Sequence, residues 1–243
     1  MARPSRREVL ALAAPALAAP QTSSGAGLRI VCTGGHPDDP ESGCGGTLAL
    51  YAAQGHGVTI LYLTRGEAGI RGKSHDEAAS IRTAEAEAAC KILGARPVFA
   101  GQIDGATVVD AKAAESFTRL VSVERPDIVF TQWPIDTHPD HQAASLLTYR
   151  AWLSLGRRFD LYYYEVDLGA QTMGFHPTDY VDIGAVREKK KTALFAHKSQ
   201  NGEEIYRSHH EVMENFRGRE SGVPAAEAFV RLARAGTRGL RLP

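Results

Sequence analysis

Cysteine is scarce, with three in 243 residues. Three thiols cannot build a disulfide framework, and these three do not have zinc-finger spacing. Free thiols, or at most one bridge, are expected. An excess of charge is missing too, since 28 Lys and Arg balance 28 Asp and Glu. A nucleic-acid binder normally carries a basic excess, so that class is set aside. No apolar run approaches the roughly 20 residues of a transmembrane helix. There is no internal repeat. The first strand-like run leads into no G-x-G-x-x-G, which argues against a dinucleotide-binding oxidoreductase. What remains is an ordinary globular composition, 43% hydrophobic and 23% charged, in a length that suits one generous domain or two small ones. Wholesale disorder is excluded.

The first twenty residues stand apart. Arg3, Arg6 and Arg7 form a basic head, residues 9–19 are apolar and alanine-rich, and Ala16 and Ala18 offer an A-x-A cleavage pattern. That order is the layout of a secretory signal peptide. Ser5-Arg6-Arg7-Glu8-Val9-Leu10 also resembles the twin-arginine export signal. The blander alternative is an amphipathic N-terminal helix. Residues 1–20 are therefore read as a signal peptide, 21–27 as a linker and 28–243 as one α/β domain. Export from the bacterial cytoplasm is expected, with no stable membrane anchor after cleavage.

From residue 28 the chain alternates strand-like and helix-like stretches. Short apolar, β-branched runs at 28–33 (LRIVCT), 58–64 (VTILYLT), 97–100, 127–131 (DIVFT) and 159–166 (FDLYYYEV) predict strands. Helices are expected over 43–54, stopping at Gly55, over 76–93, stopped by Gly94, over 111–124, ended by Pro126, and over 141–155. Further helices are read over 186–196, 203–216 and 225–235. Strands alternating with helices imply a parallel sheet covered on both faces. Right-handed crossovers favour a Rossmann-like, doubly wound and mostly parallel α/β sheet. The lysines at 189–191 read as a solvated helix face.

Two clusters carry chemistry. The first predicted strand ends in Gly34-Gly35-His36-Pro37-Asp38-Asp39, and the fourth is followed by Asp136-Thr137-His138-Pro139-Asp140-His141. In a sheet of order 3-2-1-4-5, strands one and four are neighbours whose connections leave in opposite directions, so clusters about 100 residues apart face each other across a crevice. Imidazole plus carboxylate suits zinc, and a catalytic zinc takes three protein ligands and leaves a position for water. A lone His-Pro or Asp-Asp is usually only a turn. Two such clusters on adjacent strand ends are far less readily accidental.

These residues resemble the PIG-L/LmbE deacetylase family. Gly35-His36-Pro37-Asp38-Asp39 with Ser42-Gly43-Cys44-Gly45-Gly46-Thr47 is similar to its AHPDD…GCGG signature, and His138-Pro139-Asp140-His141 to its HPDH motif. Thr64-Arg65-Gly66-Glu67-Ala68-Gly69, Ile81-Arg82-Thr83-Ala84-Glu85, Ile92-Leu93-Gly94-Ala95 and Ala196-His197-Lys198-Ser199-Gln200 resemble further family segments in the same order. The two histidine motifs are highly specific; the rest support them.

The resemblance implies a zinc-dependent enzyme that removes N-acyl groups, mostly acetyl from N-acetylglucosamine units, by attack of a metal-bound water. It implies His36, Asp39 and His141 as metal ligands and Asp38 as general base. His138 would stabilise the oxyanion or protonate the leaving amine, with Asp140 orienting and charging it. Ferrous iron is a possible substitute for zinc. There are departures: Pro40 intervenes where the family usually has Glu, so that Glu41 comes one place later, and Asp136 stands where some relatives carry tyrosine. Asp136 is either an outer acceptor for a ligand histidine or a turn-capping residue.

Arg65, Arg82 and Asp104 are weaker candidates for holding sugar hydroxyls. For Arg82 an exposed helix pair with Glu85 is an equal alternative. His197 and Gln200 are candidates for the pocket wall, against a helix C-terminus, where histidine is favoured anyway. Cys44 reads as packing. His209 and His210, adjacent on a helix, should point apart. The expected protein is an exported metal-dependent amidohydrolase acting on a small molecule or glycan that bears an N-acetylated amino sugar. The alternatives are a deacylase of another N-acyl amine and a non-catalytic carbohydrate- or metal-binding module. A pure binder has no use for an unliganded Asp38 beside the ion.

Overall fold

A computed structural model describes residues 27–166 and 170–232. The signal-like segment at 1–20 and most of the linker lie outside the described residues. The elements run β1 (Arg29–Gly34), α1 (Asp39–Ala53), β2 (Gly57–Tyr62), α2 (His75–Leu93), β3 (Arg96–Phe99), α3 (Ala111–Glu124), β4 (Ile128–Gln132), α4 (Pro139–Ser154), β5 (Asp160–Tyr164), β6 (Asp179–Asp182), α5 (Arg187–Phe195), α6 (Gly202–Ile205), α7 (Glu211–Ser221) and β7 (Ala226–Leu232). A 3₁₀ turn, Lys198–Gln200, precedes α6, and a π-helical turn, Tyr206–His210, joins α6 to α7.

The strands form one sheet in the order β3-β2-β1-β4-β5-β7-β6. Pairing is parallel from β3 through β5, and β7 runs antiparallel to both β5 and β6. Alternation along the strands separates two cores. Ile30, Cys32, Ile60 and Phe130 pack with Leu48 of α1 and Leu93 of α2. Val31, Leu61, Val129 and Leu161 pack on the other face with Phe117 of α3 and Leu147 of α4. Both faces of the central strands are covered, which is why these strands read as continuous apolar runs. Cys32, Cys44 and Cys90 are buried and free. Among the described residues no helix is long and apolar enough to cross a membrane.

The C-terminal stretch departs from expectation. The predicted helix at 225–235 is instead β7, as far as residue 232; the remaining residues lie outside the description. Ala-Glu-Ala at its start suits a helix by propensity, but strand conformation here is set by tertiary pairing. β7 covers the edge of β5 and buries Phe229 completely. Helix α1 starts at Asp39 rather than at residue 43, with Pro40 in its first turn, where a missing N–H costs nothing. The glycines that seemed to mark its start serve close packing: a methyl on Gly46 would lie 2.6 Å from Ile183 Cγ2, and one on Gly43 would lie 2.7 Å from the Glu165 carbonyl oxygen.

Lys190 also differs from its neighbours Lys189 and Lys191. Only 1% exposed, it pairs with Glu214 at 2.8 Å and Glu227 at 2.7 Å. Glu227 in turn accepts the backbone N–H groups of Gly46 and Thr47 at 2.8 and 2.7 Å. One buried network therefore ties α5, α7 and β7 to α1. Removing the cation leaves Glu227 to its two backbone donors and Glu214 to Arg187 and Tyr206, so Lys190→Met should cost about 3 kcal/mol in urea unfolding. A loss under about 1 kcal/mol, the range of an exposed pair, would sink this assignment.

Candidate active site

The reversal of strand order falls between β1 and β4, whose backbones pair through Ile30–Ile128 and Cys32–Phe130. The loops leaving their C-terminal ends are thus adjacent. Gln132 Oε1 accepts the Gly35 N–H at 2.8 Å and ties one loop to the other strand. The clusters at 36–39 and 136–141 meet there.

Asp39 lies between two imidazoles. Its Oδ2 is 3.2 Å from His36 Nδ1 and its Oδ1 is 3.3 Å from His141 Nε2. Each histidine turns its other nitrogen to further carboxylates. His36 Nε2 is 3.1 Å from Asp104 Oδ1 and 3.1 Å from Asp140 Oδ2. His141 Nδ1 is 3.1 Å from Asp136 Oδ1. An outer carboxylate on the far nitrogen is how metal-binding histidines are commonly oriented. Among the described residues, two groupings place one donor atom from each member within 4.8 Å of one another: His36, His138 and His141, and His36, Asp104 and Asp140.

The electrostatics fit a cation. Burial disfavours charge on His36, yet Asp104, Asp140 and Asp39 raise its pKa well above the usual imidazole range. Burial is likewise outweighed at His141, where Asp39 and Asp136 push the pKa up to about 9. Asp39 is buried as well, but His141 and His36 hold its carboxyl well below the ordinary value. Carboxylates that draw protons onto two imidazoles would equally favour a divalent ion among them. Imidazole and carboxylate together suit zinc or ferrous iron.

Asp38 sits beside this cluster as the residue that caps α1, with φ of +109°, a region that side-chain-bearing residues rarely adopt. Three contacts hold it. Arg82 donates to Asp38 Oδ2 at 2.9 Å and to the Pro37 carbonyl at 2.5 Å, and Glu41 Oε2 accepts the Asp38 N–H at 3.2 Å. Burial raises the Asp38 pKa against the opposing pull of Arg82. Glu41 is itself buried and accepts from Tyr62 Oη at 2.6 Å; its Oε1 lies 3.0 Å from His197 Nε2. Pro40 thus does not displace the acid from useful work: Glu41 occupies the third helical position and reaches back to the cap. The D-x-x-E spacing made that legible in the sequence.

His138 caps α4, and its Nδ1 accepts the Asp140 N–H at 3.2 Å. The neutral ring therefore carries its proton on Nε2. Burial, then His36 and His141, lower its pKa. Of the role expected for the Asp140 carboxylate, its charge does raise the His138 pKa, against the larger opposing effects of burial and the neighbouring imidazoles, but no hydrogen bond from it orients the ring. That carboxylate bonds His36, the Gly105 N–H at 2.8 Å and Thr107 Oγ1 at 2.6 Å, and only the Asp140 backbone touches His138. Asp136 does both things considered for it: it faces His141, and it accepts the His138 N–H at 2.8 Å as a turn cap.

A cavity of about 380 Å³ opens on Asp38, His138 and His36, with Asp104, Arg82 and Gln200 in its wall. Asp104 thus belongs as much to His36 as to a ligand. Arg65, a candidate for holding sugar hydroxyls, and His197, a candidate for the wall, do not line it. Arg65 is exposed and turns to Thr83 Oγ1 and the Ala79 carbonyl. His197 has no exposed surface, because its ring is sealed in against Glu41. Arg82 is only 3% exposed and is not paired with Glu85, whose carboxylate binds Ser199.

A family profile described as PIG-L, GlcNAc-PI de-N-acetylase, matches residues 31–152. The diacetylchitobiose deacetylase of Thermococcus kodakarensis is 31% identical over 192 residues, covering 73% of this chain and 72% of the relative. The N,N'-diacetylchitobiose deacetylase of Pyrococcus horikoshii, solved with an inhibitor, is similar at TM-score 0.73 and 25% identity over 84% of this chain and 83% of that one. A conserved protein of Thermus thermophilus is similar at TM-score 0.72 and 31% identity over 87% and 100% of the two chains.

If Asp136 orients a metal-binding histidine, Asp136→Asn should weaken zinc affinity about 10- to 100-fold in a chelator competition assay. Unchanged affinity would reduce Asp136 to a turn residue.

Matched over half its length by the family profile and over 73% of it by a 31% identical relative, and carrying both histidine motifs at one crevice, the chain belongs to the PIG-L de-N-acetylase family.

Proposed function

We propose that this protein is a zinc-dependent hydrolase that removes the acetyl group from an N-acetylglucosamine-type amino sugar or glycoconjugate. The observation that carries the reading is the Asp39 carboxylate set between His36 and His141, with a strained Asp38 next to it. His36, Asp39 and His141 would hold the ion, which supplies Lewis acidity toward the amide carbonyl and lowers the pKa of water to about 7.

The chain's own residues do the rest. Asp38 accepts the proton of the attacking water, and its raised pKa makes it a better base than an ordinary aspartate. Arg82 and Glu41 fix that carboxylate in place, so no reorganisation is needed as attack begins. His138 presents Nε2–H to the cleft, where it donates to the developing oxyanion or to the departing nitrogen. Asp104, Arg82 and Gln200 supply polar groups around a cavity of about 380 Å³, a size that suits a sugar ring. Residues 3–19 support export by the twin-arginine route as part of the same proposal.

Two measurements test this. Asp38→Asn should lower kcat for N-acetylglucosamine deacetylation about 10³-fold, with zinc stoichiometry by elemental analysis unchanged. Full activity in that variant would remove Asp38 from the base role. Exhaustive chelation should abolish amine release and added zinc should restore it, whereas undiminished turnover in verified metal-free protein would falsify the metal assignment.

A further inference from the structure

A net charge of zero conceals an uneven distribution. Strands β1 to β5 all begin at the end of the sheet opposite the cleft, and α1 to α4 end there. Arg29 and Arg96 open β1 and β3, Arg125 follows α3, Arg157 and Arg158 precede β5, and Arg231 lies next to the end of β7. The backbone joins the central turns: the Asp127 N–H donates to the Arg29 carbonyl at 2.8 Å, and the Asp127 carbonyl accepts the Asp160 N–H at 3.0 Å. The acids of these turns are occupied or buried. Glu124 pairs with Arg96 at 2.6 Å, Asp127 with Arg29 at 3.3 Å, and Asp160 is buried. Arg125 and Arg158 are exposed, and neither has an acid partner among the described residues. The sequence after Leu232 adds Arg234, Arg238 and Arg241 and no acid.

Folding alone does not call for these arginines. Arg125 and Arg157 occupy left-handed backbone, with φ of +48° and +56°, where glycine or asparagine costs less. Cations are favoured in the last turn of a helix, but the last turns of α3 and α4 hold none, and the arginines stand beyond them. Apolar side chains face solvent beside them: Val123, at the end of α3, is 77% exposed, and Leu153, at the end of α4, is 40% exposed. The Trp152 Nε1–H donates to the Phe159 carbonyl at 3.0 Å and holds the end of α4 against the turn that carries Arg157 and Arg158. Aliphatic side chains flanked by arginines suit a bilayer surface, where the apolar groups enter the headgroup boundary and the guanidinium groups meet lipid phosphates. A nucleic acid would use the arginines but leave Val123 and Leu153 facing water.

We propose that this end of the sheet is a docking surface for an anionic phospholipid bilayer, which holds the protein reversibly and points the cleft away from the membrane. β1 spans six residues, so the loop that carries His36 at its far end stands about 20 Å above the bound end. That orientation serves substrates arriving from solution. It is independent of which amide the cleft cleaves.

The test is co-sedimentation with lipid vesicles. The full chain is measured beside the chain from residue 21 onward, because the basic and apolar residues 3–19 would hold a bilayer by themselves and both cores are built from residue 28 onward. The shorter chain should bind vesicles that contain phosphatidylglycerol and not vesicles of phosphatidylcholine alone. Raising the salt from about 0.1 M to about 1 M cuts the screening length from about 10 Å to about 3 Å and should release it. Each arginine near an anionic surface strengthens attachment about fivefold, so Arg125→Asn combined with Arg158→Gln should weaken binding about 25-fold. Asparagine is the replacement at 125 because it tolerates left-handed backbone. Failure of the shorter chain to bind anionic vesicles overturns the proposal. So does a loss below about threefold in a double variant that melts within about 3 °C of wild type. Tighter binding of duplex DNA than of anionic vesicles at the same salt also overturns it, in favour of a polyanion. If the double variant fails to fold, Arg158→Gln alone decides, with a loss of about fivefold expected and one below about twofold overturning the assignment.

Discussion

One carboxylate holds the two halves of this site together. Asp39 opens α1, just after the β1 loop, and its two oxygens face a histidine of that loop and a histidine carried by α4. Without it, two buried imidazoles would oppose each other at a ring separation of 5.3 Å. The outer ring of Asp104, Asp140 and Asp136 then sets the orientation of both rings. The arrangement depends on β1 and β4 being neighbours, which is a property of strand order and of no single residue.

The surrounding protein shows the same pattern of buried charges satisfied in chains. Arg82 bridges the strained Asp38 turn to the Gly66 loop, Glu41 links that turn to Tyr62 and His197, and Glu85 on the same helix as Arg82 binds Ser199. Gln200, one residue on, donates to the Gly69 carbonyl. Several segments that resemble family signatures thus help to anchor the loop that presents Asp38, and Arg82 and Gln200 among them also line the cavity. An unusual backbone angle such as that of Asp38 persists only where its surroundings over-determine it, and here Arg82 and Glu41 do so through three hydrogen bonds.

The Asp39 and His141 side of the site opens on a space of about 270 Å³, part of whose wall is Ile205, His209 and His210, from the stretch between α5 and α7 that contains the π turn. That segment is also bound to the core through the Lys190 network, since Glu214 belongs to α7. The site therefore has a rigid polar side built on the central strands and a side whose shape is set by helices packed on them.

Much of this was legible in the sequence. Apolar β-branched runs marked β1, β2, β4 and β5 because those strands are buried on both faces, and the strand order implied which loops would meet. The residue types in those loops specified the donor set. Other features needed the tertiary structure. β7 has a helix-compatible beginning and becomes a strand only because β5 offers an open edge. His197 looks like a pocket residue in the sequence, yet burial commits it to Glu41, and Arg82 lines the cavity while also holding Asp38. Asp140 lies two residues from His138, but its carboxylate is drawn to His36 and to the Gly105–Thr107 loop. Local spacing determined which groups reach the crevice. Which partner each group takes was decided by packing, because a buried charge bonds whatever oppositely disposed group the fold brings within about 3 Å.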